Sequence, residues 1–198
     1  MAGAVFLDRD GTVNEEVGYL DSFDRLVLFP WTIDAIRLLN RAGFAVVIVT
    51  NQAGVARGFF DERFVQDLHR HLDGLFAAGG ARVDRYYYCP HHPEAPLEAY
   101  RVRCDCRKPA TGMIRQAERD LTLDLRQSFV VGDRWLDVAM AQEVGAQGVL
   151  VLTGYGASEV SKPPEGVGAA AVRANLLEAV SWILQQQGTG RPAGAADA

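Results

Sequence analysis

Short apolar runs alternate along the chain with stretches whose apolar residues recur at helical spacing. Runs at residues 4–8, 45–50, 85–89, 128–131 and 148–152 are four to six residues long. They are rich in Val, Leu, Phe and Tyr, and they read as strands buried in a sheet. Between the first two, Ile33, Ile36 and Leu39 form an inward stripe over a helix at residues 32–42, with Gly43 as its stop. A longer helix opens on Asp61 and carries Phe64, Val65, Leu68, Leu72, Leu75 and Phe76 on one face. Thr111 opens a third, built on Met113, Ile114, Ala117 and Leu121, and residues 133–144 read as a fourth. Leu176, Leu177, Val180, Ile183 and Leu184 mark a last helix that covers the sheet. Strands alternating with helices predict an α/β fold, a doubly wound, Rossmann-like, mainly parallel sheet with helices on both faces.

Two stretches break the alternation. Residues 11–29 and 90–107 are too long for ordinary strand-to-helix connections, and loops of that length in a compact domain are usually functional or held by a metal. Both leave carboxyl ends of predicted strands, where open α/β sheets place their ligands. No large inserted cap domain is evident, so these two loops are expected to shape any pocket. After Gln187 the chain turns rich in Gly, Ala and Pro, which predicts one domain over residues 1–187 and a flexible tail over 188–198.

Length and composition narrow the class. With 198 residues, 48% of them hydrophobic and 23% charged, the chain can bury one sizeable core. A net charge of −5 argues against a general nucleic-acid binder, so an anionic ligand would need a local positive site. No apolar run approaches membrane-spanning length and the start lacks signal-peptide character, which predicts a cytoplasmic protein, and a monomer is expected. The three cysteines, Cys89, Cys104 and Cys106, fall within 18 residues. An odd, clustered set is a poor disulfide framework and a better metal site.

Candidate chemistry sits at strand ends. Ala4-Val5-Phe6-Leu7 runs into Asp8-Arg9-Asp10-Gly11-Thr12, and strand alternation would send both carboxylates to one side. Their repulsion calls for a cation, with Mg²⁺ the natural partner of carboxylate oxygen, and an aspartate nucleophile beside its own acid/base group is the chemistry this suggests. The same residues also read as a solvated Asp-Gly turn. Thr50-Asn51-Gln52 offers a phosphate-oxygen site or a turn cap; Arg107-Lys108 offers cations for a phosphoryl group or an exposed pair. Gly132-Asp133 ends another strand: Asp133 could complete a metal site with Asp8, supported by Asp137, or cap the next helix. Cys89, His91, Cys104 and Cys106 form a Cys₃His set suited to tetrahedral Zn²⁺ with no position open for water, hence structural. His92 is an alternative ligand, and buried or redox-active thiols are the other reading. His69 and His71 do not share a helix face and read as surface residues.

Together, Asp8-Arg9-Asp10-Gly11-Thr12, Thr50-Asn51-Gln52, Lys108 and Gly132-Asp133 resemble the four motifs of the haloacid dehalogenase superfamily of phosphatases. Cys89-Pro90-His91-His92-Pro93 and Cys104-Asp105-Cys106-Arg107-Lys108-Pro109 are similar to its zinc-loop subgroup, which holds histidinol-phosphate phosphatases and heptose bisphosphate phosphatases. Residues 50–58 and Gly18-Tyr19 resemble the heptose enzymes more closely, and the likeness covers about residues 4–155. The resemblance implies Asp8 as nucleophile, Asp10 as acid and base, and Mg²⁺ held by Asp8, the Asp10 carbonyl and Asp133. It implies Thr50 and Lys108 on the phosphoryl oxygens. Substrate contacts would come from Glu16, Val17, Gly18, Tyr19, Asn51, Gln52, Ala53, Arg107 and Arg134. The expected reaction is removal of the 7-phosphate of a heptose 1,7-bisphosphate, a small-molecule sugar phosphate. Histidinol-phosphate hydrolysis and non-catalytic sugar-phosphate binding are the alternatives.

Overall fold

The structure, a computed structural model, describes residues 3–189. Its centre is one six-stranded sheet, all parallel: β1 (Ala4–Leu7), β2 (Ala45–Asn51), β3 (Arg85–Cys89), β4 (Phe129–Gly132), β5 (Gln147–Val151) and β6 (Ala171–Arg173). The order is β3-β2-β1-β4-β5-β6, a doubly wound sheet whose strand order reverses its progression at β1. The first five strands lie within a residue of their predicted bounds. β6 escaped prediction because three residues are too few for any periodicity.

Side-chain alternation assigns the two faces. Val5, Leu7, Val46, Ile48, Phe129 and Val131 point to one layer, under α1 (Thr32–Arg41), α3 (Glu62–Ala78) and α7 (Leu176–Thr189). Ala4, Phe6, Val47, Val49 and Val130 point to the other, under α4 (Gly112–Leu121) and α5 (Trp135–Val144). Burial on both faces explains why these strands are continuous apolar runs. Asp61 caps α3 as predicted, accepting from Phe64 N at 2.8 Å. The one-turn helices α2 (Ala53–Ala56) and α6 (Gly156–Glu159) carry too little pattern to be read from sequence.

Three expectations need correction. α5 begins at Trp135 with Arg134 in the cap position, so Asp133 is no helix cap and its carboxylate is available elsewhere. His69 is not on the surface: it is 6% exposed, stacked on Tyr86 with ring centroids 4.6 Å apart. α7 continues to Thr189, taking in the first two residues of the tail predicted from 188, and residues 190–198 of that prediction lie outside the described residues. Among the described residues, no helix is long and apolar enough to cross a membrane.

Candidate active site

The reversal of strand order about β1 opens a crevice at the carboxyl ends of β1 and β4, the place where doubly wound sheets bind ligands. Parallel pairing sets Leu7 beside Val131, so Asp8 and Asp133 leave adjacent strand ends and converge. Lys108 arrives from the end of the cysteine loop. Its Nζ donates to Asp8 Oδ1 at 2.5 Å, Asp137 Oδ1 at 2.6 Å and the Val49 carbonyl at 3.1 Å. Asn51 fixes it there: Lys108 N donates to Asn51 Oδ1 at 3.0 Å, and Asn51 Nδ2 donates to the Lys108 carbonyl at 3.3 Å.

Asp10 goes elsewhere. β1 ends at Leu7, so strand alternation does not govern residues 8–10, and the two carboxylates meet different partners. Arg9, only 1% exposed, grips Asp10 through Nε to Oδ1 at 3.1 Å and Nη2 to Oδ2 at 2.9 Å. Asn14 Nδ2 and Gln52 Nε2 add donors at 3.0 and 2.9 Å. The cation that answers Asp10 is therefore Arg9, which carries no signal in the sequence because an arginine next to aspartates looks like surface. Nη1 of Arg9 lies 3.5 Å from His69 Nε2, and burial beside that guanidinium pushes His69 down to about 3, so it stays a neutral imidazole.

The electrostatics of the floor are unbalanced. Asp8, Asp133 and Asp137 each bring a carboxylate oxygen within 4.8 Å of the others, all three buried. Against them stands one ammonium. Burial, only partly answered by Lys108, pushes Asp8 up to about 7, with Asp137 and Asp10 adding to the rise. Burial and the neighbouring Asp8 push Asp133 up to about 8. Lys108 moves upward because Asp137 and Asp8 outweigh its burial. Asp10 behaves oppositely: burial would raise it, but Arg9 and the surrounding donors hold it below its ordinary value. Asp133 Oδ1 and Asp137 Oδ2 are buried without a partner among the described residues. Two orphaned oxygens in a site with excess negative charge are the donor set a hard divalent cation requires, so the residues fit such an ion. Asp10's carboxylate is not part of that group.

Asp133 is approached closely by two glycines. At Gly11 (φ 87°) and Gly154 (φ 52°) a Cβ would lie 2.1 and 2.0 Å from Asp133 Oδ2, so both positions need glycine for space and for positive φ. Tyr155 N donates to that same oxygen at 2.7 Å, and Thr153 Oγ1 donates to the Gly11 carbonyl at 2.6 Å. The segment after β5 is thus part of the site, although its sequence carries no mark of it.

Above this floor lies a pocket of about 260 Å³. Glu16, Gly18, Tyr19, Thr50, Asn51, Ala53, Arg107, Lys108 and Arg134 line it together with Asp8, Asp10 and Asp133; Tyr155, Leu136 and Asp137 complete the wall. Two expected substrate residues do not line it. Gln52 is buried and donates to Asp10 and Thr50 Oγ1, and the Val17 carbonyl accepts from Arg25 Nη2 at 2.9 Å. Both act on the frame of the pocket.

The cysteine loop folds onto itself beside the pocket. Sγ atoms of Cys89, Cys104 and Cys106 lie 2.9–3.5 Å apart, and His91 Nδ1 is 3.4 Å from Cys106 Sγ. These are too long for disulfides and near the ligand edge of about 3.8 Å in a tetrahedral zinc–thiolate site. His91 joins the cluster; His92 Nδ1 instead accepts from Glu94 N at 3.1 Å. The four donors could hold a metal ion. Arg107 Nη1 donates to the His91 carbonyl at 3.1 Å, tying a pocket residue to the cluster.

A parallel sheet with aspartates after β1 and β4, a hydroxyl near the end of β2 and a lysine reaching across the crevice defines a hydrolase of the haloacid dehalogenase type. A family model described as HAD-hydrolase-like matches residues 105–179. The chain is 45% identical over 153 residues (76% of this chain, 81% of the relative) to D-glycero-beta-D-manno-heptose-1,7-bisphosphate 7-phosphatase of Photorhabdus laumondii. The enzyme of that name from Salmonella typhi is 44% identical over 183 residues, covering 91% of this chain and 89% of its own. The crystal structure of D,D-heptose 1,7-bisphosphate phosphatase from B. bronchiseptica, complexed with magnesium and phosphate, superposes with a TM-score of 0.81 at 34% identity, covering 93% of this chain and 99% of that one. The chain belongs to the D-glycero-D-manno-heptose 1,7-bisphosphate 7-phosphatase family and is a phosphoric monoester hydrolase.

Proposed function

We propose that the chain removes the 7-phosphate of D-glycero-β-D-manno-heptose 1,7-bisphosphate, releasing inorganic phosphate and heptose 1-phosphate for nucleotide-heptose biosynthesis. The observation that carries this reading is the position of Asp8: directly after β1, facing the pocket, one oxygen 2.5 Å from Lys108 Nζ. This position supports Asp8 as a nucleophile whose charge, with that of an incoming phosphate, would be answered by a cation.

In this reading Asp8 attacks phosphorus and the bond to the C7 oxygen breaks, leaving an aspartyl-phosphate. Asp10 gives the leaving oxygen its proton, then takes one from the water that hydrolyses the acyl phosphate, which restores Asp8. Ionised by Arg9 in the free pocket, Asp10 is set for the base role, and the dianion arriving beside it raises its proton affinity for the acid role. Thr50 and Lys108 hold the phosphoryl oxygens. Asp8, Asp133 and the Asp10 carbonyl would hold Mg²⁺, which supplies charge neutralisation for the phosphate. Cys89, His91, Cys104 and Cys106 would hold a structural Zn²⁺. Glu16, Gly18, Tyr19 and Ala53 border the sugar, while Arg107 and Arg134 face its C1 phosphate. The working unit is a single domain that includes all of α7, acting as a cytoplasmic monomer.

The test compares kcat/KM for the α- and β-anomers of heptose 1,7-bisphosphate with that for histidinol phosphate, using the wild type and Asp8→Asn. Turnover of the β-bisphosphate should dominate and vanish in Asp8→Asn while circular dichroism is retained. A higher kcat/KM for histidinol phosphate overturns the substrate, and near-normal activity of Asp8→Asn overturns the mechanism.

A further inference from the structure

We infer that Glu159 and Tyr155 are specificity-determining positioning residues, which lock the Arg134 guanidinium at the pocket rim as the receptor for the substrate's second phosphate. The inference rests on the bisphosphate reading and deepens it.

Arg134 is a rim cation whose head is held at two places and whose outer donors stay open. Its Nε donates to Glu159 Oε1 at 2.9 Å, and its guanidinium carbon lies 5.1 Å from the centroid of the Tyr155 ring. An anchor at Nε and a flat aromatic face together remove most of the freedom of a long side chain. Glu159 is in turn held at two points on the first residue of α5: Oε2 accepts from Trp135 N at 3.0 Å, and the Glu159 carbonyl accepts from Trp135 Nε1 at 2.7 Å. Tyr155 is held through its own backbone, whose N–H donates to Asp133 Oδ2 at 2.7 Å. The clamp is therefore built on the same strand-end groups that form the floor.

Neither Nη of Arg134 has a partner among the described residues, and Arg134 keeps 47% of its side chain exposed while Glu159 keeps 26%. The end of the guanidinium is left as a planar pair of donors, the geometry that receives two phosphate oxygens at once. The other cations of the pocket are more committed. Lys108 Nζ is spent on Asp8, Asp137 and Val49, and Arg107 gives Nη1 to the His91 carbonyl. With Asp8, Asp10, Glu16, Asp133 and Asp137 also lining the pocket, a second dianion is admitted only where a cation is already in place. A freely moving Arg134 would have to be ordered by each incoming substrate, and fixing it beforehand lowers KM.

The test measures kcat/KM for heptose 1,7-bisphosphate and for the corresponding heptose 7-phosphate, which lacks the C1 phosphate, and takes their ratio. Glu159→Ala and Tyr155→Leu should each lower that ratio about five- to tenfold, mainly through KM of the bisphosphate. Tyr155→Phe, which keeps the ring, should restore most of it, and Glu159→Gln, whose single amide oxygen can serve only one of Arg134 Nε and Trp135 N, should restore part of it. A merely structural role would lower both substrates alike and leave the ratio unmoved. Arg134→Ala separates the failures. If it lowers the ratio while Glu159→Ala and Tyr155→Leu do not, the clamp is wrong and the bisphosphate reading stands. If Arg134→Ala leaves the ratio unchanged, the second phosphate is not read there and the inference falls with that part of the reading. Should Glu159→Ala fail to fold for want of its bonds to Trp135, Tyr155→Leu decides alone.

Discussion

At the scale of single residues, charge balance governs the site. Lys108 is the only cation in direct contact with the carboxylates of the floor among the described residues, touching Asp8 at 2.5 Å and Asp137 at 2.6 Å. Replacing it with alanine removes both the counter-charge of the nucleophile and a donor aimed at the transferring group, so kcat should fall about 10²–10³-fold, measured as phosphate release at saturating substrate. A fall of less than threefold would show that Lys108 is only packing. The melting midpoint should drop as well, because two carboxylates are left buried without their partner. The structure gathers Asp8, Thr50, Lys108 and Asp133 into one pocket, which the motifs taken together led us to expect although each residue alone left a turn, cap or surface reading open. Arg9 and the lysine contact of Asp137 were not readable: nothing in the order of residues says that Arg9 turns inward onto Asp10, or that one oxygen of Asp137 meets Lys108 while its carboxylate also lies with Asp8 and Asp133.

At the scale of elements, the site is made by the segments leaving the carboxyl ends of the strands, and the cysteine loop is the piece with least structure of its own. Residues 90–107 contain a single 3₁₀ turn at Glu98–Tyr100, so the Cys₃His cluster must supply the order that packing does not. Arg107 bonds the His91 carbonyl and Lys108 is its immediate neighbour, so the cluster sets both cations. Cys106→Ser should reduce bound zinc from one ion per chain to a small fraction, measured by elemental analysis. Losing about 3 kcal/mol with the ion would lower the melting midpoint by about 6–12 °C for a chain of this size. Zinc retained in full would mean the cluster is not a tetrahedral site. Cysteine spacing made this loop legible early, because metal ligands must be close in space and here are close in sequence. The segment after β5 was illegible for the converse reason: Thr153 and Gly154 lie more than 140 residues from Gly11, which they meet only once the sheet has formed.

At the scale of the whole molecule, the helices do more than cover the sheet. α3 carries His69 across to the β1 end, where it faces Arg9 and stacks on Tyr86 of β3. Burial and the guanidinium hold it near 3 in the folded protein, below its ordinary value of about 6.5. The unfolded chain therefore takes up a proton that the folded chain refuses. His69 costs no stability above about pH 6.5, and it costs progressively more as pH falls from there toward 3, at up to ~1.4 kcal/mol per unit. Urea unfolding of the wild type and His69→Gln between pH 7 and 4.5 should show wild-type stability falling faster by about that slope. Parallel curves would mean the imidazole is protonated in the fold. The His69 result also marks the boundary between the two sources of information. By itself the sequence determined the layering: short continuous apolar runs alternating with stripes of period 3.6 fit a sheet covered on both faces, with the motif residues at its strand ends. It also marked the cysteine loop as a place where four metal-ligand side chains could gather. Only the tertiary structure decided the pairings, Lys108 to Asp8, Arg9 to Asp10, His69 to Arg9 and Glu159 to Arg134. Hydrophobic pattern acts through the local period of the chain, whereas an ion pair between residues 8 and 108 exists only after strand order has brought them together. The physical reason is that burial is written along one element, and electrostatic partnership is written between elements.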